Sequence, residues 1–191
     1  MPVSATPSDL LPLAELPPVT LILGGARSGK SRYAEALIRA AAAEAVYLAT
    51  AQMLDAEMEE RVRHHRAQRE AASGLLWRTV EEPLALVRCL ARETRAGRPV
   101  LVDCLTLWLS NLIHDGRDAV AEGEALADCL PTLAGPVVFV ANEVGLGIVP
   151  DNALARYFRD EAGRLNQKLA ARADRVVFVA AGLPLILKDG N

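Results

Sequence analysis

The feature that most constrains this chain is the glycine-rich stretch Gly24-Gly25-Ala26-Arg27-Ser28-Gly29-Lys30-Ser31. It matches the pattern G-x-x-x-x-G-K-S/T of phosphate-binding loops. Glycines let the backbone turn tightly, so that successive N–H groups face phosphate oxygens. Lys30 can reach the β- and γ-phosphates of a nucleotide, and the Ser31 hydroxyl can ligate Mg²⁺. We therefore expect the whole stretch to bind nucleotide, with Lys30 as a catalytic residue and Ser31 as a metal ligand.

The residues on either side of this loop support the prediction. Residues 19–23 form a short apolar run that is typical of a buried strand, and residues 31–38 have the composition of a helix. Strand, loop and helix follow one another in the order that places a phosphate at a helix N-terminus. The alternative is a glycine-rich turn that binds nothing, since a motif with four fixed positions also occurs by chance.

Composition limits the class of protein further. The chain has 191 residues, of which 51% are hydrophobic and 4% aromatic, and this favours one α/β domain with closely packed helices. A net charge of −3 without a basic face argues against binding nucleic acid. We find no apolar run long enough to span a membrane and no secretory signal. Cys89, Cys104 and Cys129 are isolated, which is typical of reduced thiols in a cytoplasmic protein.

The hydrophobic pattern predicts the remaining elements. We expect further strands at 45–50, 75–81, 100–103, 137–141, 175–181 and 184–188, and helices at 31–43, 55–69, 83–96, 106–114, 119–133 and 151–173. Asp151 is the predicted cap of the last helix, and its apolar face comprises Leu154, Tyr157, Phe158, Leu165 and Leu169. The expected fold is α/β and P-loop NTPase-like, a mostly parallel sheet with helices on both faces and a C-terminal antiparallel strand. Residues 19–191 form this single domain, and the proline-rich residues 1–18 are an extension.

Three predicted strands end in polar residues, which would lie at the carboxyl edge of the sheet where ligands bind. Thr50 therefore belongs near the nucleotide. Asp103 ends a buried strand, as does the acidic Mg²⁺ ligand of phosphate-loop proteins, although a surface carboxylate is the alternative. Residues 142–147 are a substrate or sensor loop, or else a plain turn.

The tandem histidines His64 and His65 lie in the predicted helix 55–69. Spacing alone favours a solvated, basic helix end over a catalytic role. A metal site is disfavoured, because adjacent helical positions diverge and no His or Cys follows at the required spacing.

Several blocks of the chain occur together in a known family. They are GGARSGKSR at 24–32, YLATAQ at 47–52, DAEM at 55–58, RVRHH at 61–65, WRTVE at 77–81, NEVGLGIVP at 142–150 and FRDEAGRLNQ at 158–167. Over about residues 19–188 the chain resembles the bifunctional adenosylcobinamide kinase and adenosylcobinamide-phosphate guanylyltransferase of cobalamin biosynthesis.

The resemblance implies two reactions. ATP or GTP would phosphorylate adenosylcobinamide, and GMP from GTP would then be transferred through a GMP-histidine intermediate, giving adenosylcobinamide-GDP and pyrophosphate. By its position in the motif, His64 would be the histidine that carries GMP. Asp103, where some members have Glu, keeps the carboxylate that would hold Mg²⁺ with Ser31. Family members form homotrimers, so the resemblance implies a homotrimer here.

The resemblance also implies further nucleotide-binding residues. They are Leu48, Ala49, Thr50, His65, Arg66, Ala67, Gln68, Glu81 and Asp103.

Two other functions are compatible with a phosphate-binding loop. A plain small-molecule kinase would transfer phosphoryl without a covalent intermediate, and a nucleotide-gated binding module would bind GTP with negligible turnover. A regulatory GTPase is disfavoured because the chain lacks an N-K-x-D motif.

Overall fold

The computed structural model describes residues 16–52 and 75–190. These residues contribute seven strands to one sheet. The strands are β1 (Val19–Gly24), β2 (Glu44–Ala49), β3 (Leu76–Glu81), β4 (Val100–Asp103), β5 (Val137–Asn142), β6 (Arg175–Ala180) and β7 (Leu183–Asp189). Their order across the sheet is β3-β2-β4-β5-β1-β6-β7, and every neighbouring pair is parallel except β6 and β7.

Helices cover both faces of this sheet. They are α1 (Lys30–Ala41), α2 (Leu86–Glu93), α3 (Leu105–His114), α4 (Ala119–Cys129) and α5 (Ala153–Arg172), with a 3-10 turn at Leu130–Thr132. Tyr33, Leu37 and Ile38 of α1 pack on one face, whereas α2, α3, α4 and α5 supply the core on the other. The predicted fold, a mostly parallel α/β sheet with a closing antiparallel strand, is confirmed.

Alternation along the strands explains why two cores form. In β5, Val137 and Phe139 face the larger core, and Val138 and Val140 face the core beneath α1. Successive side chains of a strand point to opposite faces, so a continuous apolar run is buried on both sides.

Several predicted boundaries differ from the structure. Asn152, not Asp151, caps α5, because its Oδ1 accepts a hydrogen bond from the Ala155 N–H at 2.7 Å. Leu165 and Leu169 are buried as predicted, but Leu154 and Tyr157 are 57% and 45% exposed. The helix predicted at 83–96 is shorter in the structure, where α2 covers Leu86–Glu93. The helix predicted at 119–133 ends at residue 129. The predicted helix 55–69 and residues 1–15 of the extension lie outside the described residues.

The predicted strands 175–181 and 184–188 put the turn between β6 and β7 at residues 182–183. In the structure the turn lies one residue earlier, at Ala181 and Gly182. Ala181 and Gly182 have φ angles of 52° and 81°. Two successive positive φ values are what a tight two-residue hairpin turn requires, because its twist then matches that of the strands. Within the described part of the chain, no helix is long and apolar enough to cross a membrane.

Candidate nucleotide site

The phosphate-binding loop joins β1 to α1 as predicted. A Cβ on Gly24 would lie 2.5 Å from the Val179 carbonyl oxygen, so only glycine fits there. Gly29 adopts a left-handed φ of 97° immediately before α1. Among the described residues no side chain caps α1, so its first N–H groups are available to a bound anion. Local geometry therefore favours a phosphate at this helix terminus.

Lys30 lies beneath the loop rather than in solvent. It is 9% exposed, and its Nζ donates a hydrogen bond to the Gly25 carbonyl at 3.1 Å. Burial lowers the pKa of Lys30, while the nearby Cys104 and Asp103 act in the opposite direction. The effect of Asp103 on the pKa of Lys30 shows that the two side chains are close. The structure therefore brings these two predicted site residues together.

Asp103 ends β4 at the same edge of the sheet. Strand alternation places it on the face that α1 covers, since Leu101, two residues earlier, packs in the core beneath that helix. The Tyr47 hydroxyl donates a hydrogen bond to Asp103 Oδ2 at 3.1 Å. This contact orients the carboxylate toward the phosphate-binding loop's side of the sheet.

The Asp103 carboxylate and the Ser31 hydroxyl are a donor set that suits Mg²⁺. No group of three or more His, Cys, Asp or Glu side chains that could hold a metal occurs in residues 16–52 and 75–190. Mg²⁺ needs no such group, because it is commonly held by one or two carboxylates together with substrate phosphates and waters. The residues present therefore fit this ion.

Thr50 is fully buried and its hydroxyl is engaged within the protein. Its Oγ1 donates to the Cys104 carbonyl at 2.7 Å and accepts from the Cys104 N–H at 2.9 Å. Asn111 Nδ2 donates to the Thr50 carbonyl at 2.7 Å. Leu48 is likewise buried, in the larger core. The Thr50 hydrogen bonds join the residue after β2 to the residue after β4. Contact of Thr50 and Leu48 with nucleotide stays a prediction.

Ala49 and Glu81 lie side by side where β2 and β3 end. Glu81 is exposed. β3 is the fourth strand from β1, which corresponds to roughly 19 Å at the usual strand spacing. A nucleotide whose phosphates occupy the loop would have to extend along the carboxyl edge to meet both residues. His64, His65, Arg66, Ala67 and Gln68 lie outside the described residues.

Sequence reasoning missed several residues that organise this edge. From the sequence, Tyr47 resembles an ordinary core tyrosine, yet its hydroxyl contacts Asp103. Thr106 resembles an ordinary helix residue, yet its Oγ1 accepts a hydrogen bond from the Asn142 N–H at 2.7 Å. The period-2 pattern of each strand could not have identified Tyr47, because the register of β2 against β4 is what puts Tyr47 and Asp103 on one face. Asn142 Oδ1 is buried without a hydrogen-bond partner in the described part of the chain.

The polar loop after β5 begins directly beside the phosphate-binding loop. Asn142 pairs with Gly24 in the sheet, and the Glu143 N–H donates to the Gly24 carbonyl at 3.0 Å. Glu143 Oε1 accepts a hydrogen bond from the Gly145 N–H at 2.6 Å, which closes a tight turn. A substrate or sensor role for this loop stays a prediction that its location supports.

This sheet and loop define a P-loop nucleotide-binding protein. The fold is shared with the flagellar accessory protein FlaH from Methanocaldococcus jannaschii, with a TM-score of 0.54 and 13% identity over 92% of this chain and 80% of that one. It is also shared with the ATPase EscN of the enteropathogenic E. coli type III secretion system, with a TM-score of 0.53 and 10% identity over 86% of this chain and 43% of that one. Such likenesses show the fold alone.

Sequence comparison identifies the family. Residues 20–187 match the model of the cobinamide kinase / cobinamide phosphate guanyltransferase family. The chain is 53% identical to the bifunctional adenosylcobalamin biosynthesis protein CobP of Pseudomonas aeruginosa, over 88% of this chain and 96% of that protein. It is 42% identical to CobU of Escherichia coli, over 88% of this chain and 98% of that protein. The chain belongs to this family, which confirms the family and the two transfer reactions expected from the sequence motifs.

Proposed function

We propose that this chain uses one phosphate-binding loop for two successive transfers to a cobinamide. In the first, ATP or GTP phosphorylates adenosylcobinamide. In the second, GMP from GTP passes through His64 to adenosylcobinamide phosphate. The observation that carries the proposal is Lys30, buried beneath the loop and beside Asp103, in a chain that belongs to the family named for both activities.

The kinase step needs charge stabilisation at the γ-phosphate. The hydroxyl oxygen of the aminopropanol arm attacks the γ-phosphorus and loses its proton to solvent, while the bond to the β,γ-bridging oxygen breaks and releases ADP or GDP. Lys30 and the N–H groups of the loop neutralise the charge that develops on the phosphate oxygens. Mg²⁺, held by Ser31 and Asp103, would supply further positive charge to the triphosphate.

The guanylyl step needs a nucleophile. A neutral imidazole nitrogen of His64 attacks the α-phosphorus of GTP, forming a P–N bond and releasing pyrophosphate. A phosphate oxygen of adenosylcobinamide phosphate then attacks the same phosphorus, and the P–N bond breaks to free His64. Imidazole suits this role because its ordinary pKa of about 6.5 leaves it largely neutral at pH 7. The sequence match supports His64, and Leu48, Ala49, Thr50, His65–Gln68 and Glu81 border the nucleotide in this proposal.

The proposal includes a homotrimer in the cytoplasm. Family resemblance supports the trimer. The edge strand β7 also pairs with only one neighbour among the described strands and carries four exposed large apolar residues, Leu183, Leu185, Ile186 and Leu187. An exposed apolar strand edge is unfavourable in water unless another chain covers it. The free thiols Cys89, Cys104 and Cys129 fit a reducing compartment.

Labelling with α-³²P-GTP tests the proposal. We expect the unaltered protein to acquire acid-labile, base-stable label, since a phosphoramidate has these properties. His64→Ala should abolish the label, whereas His114→Ala, which removes a histidine outside the proposed nucleotide-binding residues, should keep it. Lys30→Ala should impair both the labelling and the phosphorylation of adenosylcobinamide.

Each rival predicts a different result. A plain kinase phosphorylates cobinamide without ever labelling the protein. A binding module binds GTP but turns over no cobinamide. Acid-labile label that persists on the His64→Ala protein would refute the histidine assignment.

A further inference from the structure

Helix α5 is much longer than the strands it covers. It has 20 residues, and Asn166 is level with the end of β5, because its Nδ2 donates to the Asn142 carbonyl at 3.5 Å. The residues of α5 that precede Asn166 span about 20 Å of helix on the N-terminal side of this contact, at 1.5 Å per residue. The loop from Glu143 leads from the phosphate-binding loop to the first turn of this segment.

The loop after β5 and the first turns of α5 carry exposed apolar side chains, which we call the upper face. Its members are the exposed large apolar residues of the loop and the first turns of α5. They are Leu146 (82% exposed), Ile148 (98%), Val149 (62%), Leu154 (57%) and Tyr157 (45%). Five such residues within twelve positions are unusual on a water-exposed surface, and a patch of this kind marks a binding site.

A cavity of about 320 Å³ adjoins the upper face, between α3 and α5. Leu154 belongs to both, and Ile113 and Phe158 form the apolar wall. Ser110, His114 and Asn152 add hydrogen-bonding groups to the lining. Apolar walls with a few polar groups are the usual composition of a site for an organic ligand.

We propose that the upper face and this cavity bind the corrin macrocycle of the acceptor substrate. The inference rests on the proposed function and adds to it the surface that holds the acceptor. The reacting hydroxyl must reach the γ-phosphate, so the macrocycle must lie next to the loop. The loop that carries Leu146, Ile148 and Val149 starts there, since the Glu143 N–H donates a hydrogen bond to the Gly24 carbonyl.

The chemistry of the ligand matches that of the surface. A corrin ring presents methyl-covered faces and a rim of amide side chains. The faces suit Leu146, Ile148 and Val149, and the amides suit the hydroxyl, imidazole and amide groups of the cavity. The ring is also too large to enter the loop itself, so an external apolar wall is the arrangement that this substrate needs.

The test compares two variants. Leu146→Ser combined with Ile148→Ser removes the two most exposed apolar side chains of the upper face, and Leu76→Ser removes another exposed leucine (71%) at the opposite, amino edge of the sheet. For each, we would measure adenosylcobinamide affinity by equilibrium titration, its KM in the kinase step, labelling by α-³²P-GTP, and the mass in solution. The double variant should bind adenosylcobinamide about tenfold or more weakly. Its labelling by GTP and its mass should be unchanged, and Leu76→Ser should behave as the unaltered protein.

Two results would overturn the inference. Unchanged adenosylcobinamide affinity and KM in the double variant would show that the macrocycle binds elsewhere. A fall in mass would show that the upper face covers another copy of the chain. If the unaltered protein binds no adenosylcobinamide and phosphorylates none, the proposed function itself fails, and this outcome is recognised before any variant is made.

Discussion

At the scale of single residues, Lys30 shows how position changes chemistry. An exposed lysine titrates near pH 10.4, but burial lowers the pKa of Lys30, whose Nζ donates a hydrogen bond to the Gly25 carbonyl. A triphosphate in the loop brings several negative charges to the amine. Those charges favour the protonated form and raise its pKa again.

This shift predicts a pH dependence of nucleotide binding. The affinity for GTP should be highest at pH values below the pKa of Lys30 in the free protein, where the amine is already protonated before GTP binds. It should fall as pH rises between that pKa and the higher pKa of the complex, because binding there requires uptake of a proton. Calorimetry at alkaline pH in buffers of different ionisation enthalpy measures this uptake. Lys30→Arg is the control, since guanidinium stays protonated and should show no uptake from this position.

At the scale of elements, a charged cluster joins α2 to its neighbours. The Glu93 carboxylate is 6% exposed, pairs with Arg78 of β3, and accepts from Arg92 Nε at 2.9 Å. Arg98 Nη2 lies 3.7 Å from the same carboxylate and donates to the Glu93 carbonyl at 2.8 Å. Glu93 thus holds the end of α2 against β3 and the approach to β4.

Removing this carboxylate should destabilise the protein. We expect Glu93→Ala to lower the free energy of unfolding by about 1–3 kcal/mol, because the charge of the half-buried Arg98 loses its carboxylate and keeps only its hydrogen bond to the carbonyl of residue 93. Urea denaturation followed by circular dichroism measures the change. Glu124→Ala is the matched control: its pair with Lys168 is exposed, and its loss should cost less than about 1 kcal/mol. Equal effects for the two variants would contradict the role given to Glu93.

At the scale of the whole molecule, the edge strand β7 exposes apolar side chains that a single chain does not cover. Leu185 and Leu187 are 60% and 57% exposed on a strand whose outer edge has no partner among the described strands. Subunit association would remove this apolar surface from water.

The trimer proposal predicts a mass in solution of about three times the 20.5 kDa of the chain. Leu185→Lys should shift the protein toward a monomer, because it places a charge in the contact. Light scattering coupled to size-exclusion chromatography measures both. Leu76→Lys, at the opposite edge strand, should leave the mass unchanged. A monomeric unaltered protein would disprove the trimer, and a trimeric Leu185→Lys protein would place the contact elsewhere.

The sequence by itself determined the features that depend on neighbours along the chain. The strand, loop and helix around Lys30 follow from a local apolar run, glycines and helical composition, and the structure has them within one or two residues. The apolar run that ends in Asp103 likewise predicted strand β4 with its correct bounds. Local pattern was less reliable at helix ends, as Asn152 shows, because adjacent Asp and Asn compete equally well for a capping position.

Only the tertiary structure decided which of these features meet. The Tyr47 hydroxyl reaches Asp103 across 56 positions of sequence, and Asn142 lies beside Gly24 because β5 inserts between β4 and β1. Strand order depends on how whole elements pack, and no local pattern encodes it. The burial of Lys30 and the contact of Asn166 with the end of β5 arise in the same way, since both exist only once distant segments share one core.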